Sequence, residues 1–283
     1  MCQNFYDSFI RNNKPVQIVL GVFGGMLLMV ILLAIFGAFR SHCDDCDPTT
    51  TCYYNVLSQS WPQTKCKMNL VKKSNKVCIE PLASSFTIHG LWPQLKDKNA
   101  ILANCLDNNN PFDEEKLKDI KEDMKKQWPS VLIAKAGEED KANKDFWTHE
   151  WDKHGKCSYQ KEVEDYFKKT LEIQKGMNIT QWLLDDQITP KNDAKYKLTK
   201  FKDAIKKKIG ENQYKLRCST LNKNGEGKNI DPIYLLDEIL ICVSYKNPNS
   251  ILDCSEEVPG TGNGIVDCPS EFYYLADYKS FKA

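Results

Sequence analysis

Twelve cysteines in 283 residues constrain this chain more than any other feature. Within the globular part no paired Cys-x-x-Cys of zinc-ribbon spacing occurs, so these cysteines read as disulfides. Disulfides persist in an oxidising lumen or outside the cell, which excludes the cytosol as working compartment. Their connectivity does not follow from spacing. Cys43-Asp44-Asp45-Cys46 stands apart, as a redox pair, a stalk disulfide or an intermolecular bridge. Acidic neighbours disfavour a thiolate and with it the redox reading.

The N-terminus supplies a route to such a compartment. Val16 to Phe39 is apolar apart from Gln17 and long enough to cross a hydrocarbon core of about 30 Å. Signal-peptide cores are shorter and end at a small-x-small site, which Phe36 to Ser41 does not supply well. The expected organisation is therefore a short cytosolic tail (1–15), a transmembrane signal anchor (16–39), a stalk (40–51) and one folded domain (52–283). With Cys2 on the cytosolic side the lumenal cysteine count is odd, so one thiol is free or pairs between chains. Cys43, Cys46 and Cys52 are the candidates for a disulfide-linked dimer.

Within the domain, β-branched and aromatic runs predict strands near Tyr53 to Gln59, Ser85 to Leu91, Tyr214 to Ser219 and Leu236 to Ser244. Helices are expected near Glu114 to Gln127, Asp145 to Lys156, Glu162 to Lys175 and Lys200 to Ile209, the last capped by Thr199 and stopped by Gly210. Asn222 to Asn229 reads as a loop. The fold class is α+β, a mainly antiparallel sheet packed with several helices, preceded by one transmembrane helix.

Three of the four histidines fall in two short segments, Phe86-Thr87-Ile88-His89-Gly90-Leu91-Trp92-Pro93 and Phe146 to Cys157, the latter with His149, Glu150, Lys153 and His154. His42 lies outside both and reads as incidental. Histidine suits acid and base roles alike, because its pKa of about 6.5 lets both forms coexist. Cleaving RNA through its 2′-hydroxyl requires one group to take a proton, another to give one, and polar groups to hold the charge on phosphorus. On a helical wheel His149 and Lys153 lie one turn apart, as do Glu150 and His154, so the four are expected on one face. Trp147 and Trp151 are expected on the packing face.

Both segments resemble the active-site signatures of the ribonuclease T2 family of acid, metal-independent endoribonucleases, from about Tyr53 to the C-terminus. The resemblance implies His154 as general base, His89 as general acid and His149 as phosphate ligand. It further implies Glu150 and Lys153 as transition-state stabilisers and Trp92 as a surface for a base. The reaction implied is transesterification of single-stranded RNA to 2′,3′-cyclic phosphate ends, without metal or cofactor. It also implies the pairs Cys66–Cys78, Cys105–Cys157, Cys218–Cys268 and Cys242–Cys254.

A zinc-protease reading fails on spacing. Zinc-binding helical histidines stand four apart, whereas His149 and His154 stand five apart and diverge by about 140°. The alternative of another class is a catalytically silent RNA-binding or signalling module with the same fold. A net charge of +1 gives no global field to gather RNA, so binding must be local. Lys206-Lys207-Lys208 reads as a solvated face rather than a phosphate contact. Asn178-Ile179-Thr180 is a glycosylation acceptor in a lumenal setting. The expected location is the endomembrane lumen, lysosome or endosome, or the cell exterior, with secretion if the N-terminal segment is removed.

Overall fold

A computed structural model describes residues 53–95, 100–101, 110–211, 213–221, 232–254 and 265–282. The predicted tail, membrane span and stalk, Cys105 and the Asn222 to Asn229 loop lie outside these residues. Among the described residues no helix is long and apolar enough to cross a membrane.

The domain is built on an antiparallel six-stranded sheet in the order β4-β3-β1-β8-β7-β9. Its strands are β1 (Tyr53–Ser60), β3 (Thr87–Leu95), β4 (Ala100–Ile101), β7 (Tyr214–Leu221), β8 (Ile233–Ser244) and β9 (Ile265–Asp267). Two-stranded ladders pair β2 (Val77–Cys78) with β5 (Leu132–Ile133), and β6 (Tyr196–Lys197) with β10 (Glu271–Phe272). The expected antiparallel α+β class is what forms.

β1 and β8 lie at the centre and are buried on both faces, yet they carry Asn55, Ser58, Gln59, Ser60, Asp237 and Glu238. A buried polar group costs free energy unless it is hydrogen-bonded. The amide of Asn55 donates to the carbonyls of Ser244 and Tyr245, and that of Gln59 to the carbonyl of Met177. The other four belong to a charged network described below.

Among the described residues six helices flank the sheets: α1 (Pro62–Val71), α2 (Lys121–Gln127), α3 (Glu139–Lys153), α4 (Val163–Gly176), α5 (Ile179–Asp185) and α6 (Leu198–Ile209). α1 opens on proline, whose missing N–H is no loss in a first turn. α4 turns Val163, Tyr166, Phe167, Thr170, Leu171, Ile173 and Gln174 inward, the spacing of one helical face. Trp128, Trp147, Trp151, Tyr166 and Phe167 pack there into one core.

Three expectations need correction. The helix read as Glu114 to Gln127 is a 3-10 turn (Glu114–Leu117) and α2, separated by the turn at residues 118–120, with Ile120 as the N-cap of α2. α3 starts at Glu139, where Glu139 and Asp140 place negative charge against its N-terminal dipole. α6 is entered from Lys197 in extended conformation directly off β6, so Thr199 lies inside the first turn and caps nothing. Gly210 does stop that helix, at φ 93°.

Disulfides join Cys66 to Cys78, Cys218 to Cys268 and Cys242 to Cys254. Cys157 is disulfide-bonded too. They tie α1 to β2, β7 to the residue after β9, and β8 to the chain following it.

Candidate active site

The two histidine segments meet over the sheet. His89 sits on β3 at a β-bulge: Gln59 of β1 pairs with Ile88 and Ser58 with Gly90, so His89 has no opposite residue. A bulge re-aims a side chain, here that of His89. The ring of His89 lies 5.1 Å from that of Trp92, and Trp92 lies 5.5 Å from the ring of His154. One indole thus touches both imidazoles.

Trp92 also donates its indole N–H to the carboxylate of Glu150 at 3.0 Å. This close approach explains Gly90, where a Cβ would stand 2.2 Å from both Glu150 Oε2 and Trp92 Nε1. Trp92 is 3% exposed, so the expected base-stacking surface offers no open face here. Its position on a strand buried on both sides makes it a holder of Glu150.

α3 contributes its face differently from the wheel. Asn143, Trp147, Glu150 and Trp151 are buried together, while His149 is exposed and Lys153 half-buried. His154 lies beyond the last helical residue, at φ −123° and ψ −48°. The four polar side chains do not share one helical face, because the helix ends at Lys153 and a 3-10 turn (Gly155–Cys157) follows. Gly155 allows that turn to pack on Trp151, whose ring would stand 2.3 Å from a Cβ.

Electrostatics separate the groups. Burial pushes the Glu150 carboxyl up to about 7 against the opposing pull of His89, the Trp92 donor and Lys153. Glu150 is therefore neutral in acid. His149 is held below the usual imidazole range by partial burial, with the charges of Lys153 and His89 adding to the effect. For His89 burial opposes the charge, but the carboxylate of Glu238 and a hydrogen bond to it outweigh that and move the pKa up.

Glu238, on β8, is wholly buried and accepts from His89 Nδ1 at 2.8 Å, from Lys65 Nζ at 2.7 Å, and from the hydroxyls of Ser58 and Ser60 at 3.3 Å each. Lys65, on α1, also contacts Asp237 at 3.1 Å. Burial would raise the Glu238 carboxyl, but Lys65 and His89 hold it well below the usual carboxylate range. Sequence reading does not single out Glu238 or Lys65. The available signal is the Asp237-Glu238 pair inside the apolar run Ile233 to Val243, an expensive placement for two carboxylates unless cations meet them.

Beside His89 opens a cavity of about 210 Å³, with Lys65, Lys76, Thr87, Ser130, Leu132 and Phe146 among its lining residues. The ring of Phe146 stands 5.9 Å from that of His89. Lys207 and Lys208 of α6 are paired with Asp186 and Asp185, and Lys206 with Glu211, in keeping with a solvated face. Asn178 is exposed and caps α5 by accepting from the Gln181 N–H.

An antiparallel α+β domain that sets two imidazoles against one indole, with a neutral-leaning carboxyl bonded to that indole, can transfer protons and hold developing negative charge. The chain belongs to the Ribonuclease T2 family, whose family model matches residues 52–254. It is similar to Ribonuclease 1 of Arabidopsis thaliana, 30% identical over 86% of this chain and 88% of that protein. Human Ribonuclease T2 is 29% identical over 71% of this chain and 70% of its own length. Among solved structures, RNase NT in complex with 5′-AMP superposes with a TM-score of 0.62 at 26% identity, over 80% of this chain and 99% of that one.

Proposed function

We propose that this T2-type endoribonuclease cleaves single-stranded RNA by transesterification, releasing 2′,3′-cyclic phosphate ends. The reading is carried by one observation: His89 and His154, from distant parts of the chain, lie against the same indole at 5.1 and 5.5 Å. Two imidazoles brought to one side chain from distant segments are what an acid and a base acting on one phosphodiester require.

In this reading His154 takes the proton of the 2′-hydroxyl, which attacks phosphorus. His89 returns a proton to the departing 5′-oxygen. Because Glu238 accepts from Nδ1, the other ring nitrogen, Nε2, is the one that faces the leaving group. Glu150, neutral in acid, can donate a hydrogen bond to a non-bridging oxygen while Trp92 fixes its other oxygen. Lys153 adds positive charge, and His149, once protonated, holds the phosphate from the exposed side. The cavity beside His89 would receive the nucleoside on the leaving side. DNA lacks the attacking hydroxyl and would not be cut.

The test is cleavage of single-stranded RNA at mildly acidic pH with excess chelator, scored for cyclic-phosphate ends. His89→Ala and His154→Ala should each lower kcat by roughly 10²–10⁴-fold with the fold retained. A folded wild-type chain that binds RNA without cutting it would instead establish the silent module, and near-normal activity in either variant would overturn that residue's role.

We further propose that residues 16–39 anchor the chain with residues 52–283 in the lumen or outside the cell, that Asn178 is glycosylated there, and that Cys43, Cys46 or Cys52 links two copies. Supporting this are the apolar run and the disulfides. Carbonate extraction, glycosidase digestion and non-reducing electrophoresis of the intact chain test the three points in turn.

A further inference from the structure

His89 and Glu238 belong to strands that are not neighbours. β1 runs between them, so their backbones lie about 9.6 Å apart, two strand spacings. They meet because β1 presents only Ser58 and Ser60 beneath the contact, residues small enough to be bridged, whose hydroxyls both donate to Glu238. Two register shifts serve the meeting. One leaves His89 unpaired on β3, and the other, on the far side of β8, lets β7 pass from Glu238 to Leu236 and skip Asp237. Lys65 then reaches down from α1 to both carboxylates.

We propose that Glu238, braced by Lys65, is the positioning residue for His89: it fixes which ring nitrogen faces the substrate and keeps the proton on the ring until the leaving oxygen takes it. An ionised carboxylate only accepts, so Nδ1 must be the donor and the ring has one orientation. Other charged groups facing His89 are Lys65 from α1, with Glu150 and His149 from α3. Of the carboxylates, Glu238 is the one in hydrogen-bond contact with the ring. This inference rests on His89 being the general acid.

The experiment uses the full chain in detergent, labelled with ¹³C at histidine Cε1. Only four histidines are present, and His89→Ala identifies the His89 resonance by its loss. In Glu238→Gln the His89 pKa should fall by roughly one to three pH units, and the alkaline limb of the kcat profile should fall with it. In Lys65→Met, which removes a cation from the same network, both should move upward. A purely structural role would lower kcat at every pH and move neither limb. An unchanged His89 titration in folded Glu238→Gln overturns the proposal, and if that variant fails to fold, a Lys65→Met titration that does not rise overturns it. A titration that falls while the rate limb stays supports the link to Glu238 and overturns His89 as the acid.

Discussion

Gly90→Ala tests whether the approach of Glu150 to Trp92 holds the site together. At an unstrained open position, glycine to alanine stabilises by about 0.4–1 kcal/mol, because the unfolded chain loses freedom. Here the new methyl would stand 2.2 Å from the Glu150 carboxylate and 2.2 Å from the Trp92 indole nitrogen, so both must move. Overpacking of a well-filled interior costs about 1–3 kcal/mol. Breaking the 3.0 Å bond between two buried polar groups adds a further 1–3 kcal/mol or so. The net loss should be about 1–5 kcal/mol, set against the roughly 5–15 kcal/mol that holds a domain folded. Displacing Glu150 should also lower kcat by about a hundredfold, the usual consequence of misplacing a catalytic group by an ångström. Urea denaturation and initial cleavage rates read the two effects. Gly176→Ala, at a position with nothing within 4 Å, is the control and should be neutral or stabilising. If Gly90→Ala behaves like this control, the steric account of the site is wrong.

Other outcomes follow from the same geometry. The folded-state pKa of Glu150 is raised from 4.5 to about 7, so its contribution to stability is present below 4.5 and is lost as pH rises through 7. Glu150→Gln should therefore gain stability over wild type between pH 5 and 8, by up to about 3 kcal/mol, in urea titrations; a constant difference across that range would refute it. His149, held low, charges only in acid, so His149→Ala should raise KM a few-fold near pH 4 and hardly at pH 7. An equal KM ratio at both would remove it as a phosphate ligand. Replacing Cys218 and Cys268 with alanine should cost about 4 kcal/mol, and replacing Cys242 and Cys254 about 3, because the first pair closes 50 residues and the second 12. The reverse order in thermal melts would show that loop closure does not govern these bonds.

Much of the candidate site was legible because its residues lie close together in sequence. His89 and the run from His149 to His154 announce themselves by residue type and spacing, and the long strands read correctly from their apolar composition. What was not legible depends on pairing between distant segments. Whether His89 is bulged is decided by the register of β1 against β3, which no window of sequence contains. Glu238 becomes a partner of His89 only when β8 lies beside β1. The wheel of α3 misplaced His154 because the helix stops one residue earlier, where Gly155 lets the chain turn against Trp151. α1 escaped notice because its buried positions are Pro62, Thr64, Cys66 and Asn69, with little apolar pattern to betray a helix.

The order of strands has a consequence for synthesis. β8 occupies the middle of the sheet although it is the eighth strand made, so β1, which pairs with β3 on one edge, lacks its partner on the other until β8 arrives. A nascent chain that already contains every histidine still lacks the carboxylate that contacts His89. The contact between His89 and Glu238 can therefore close only after β8 has been made.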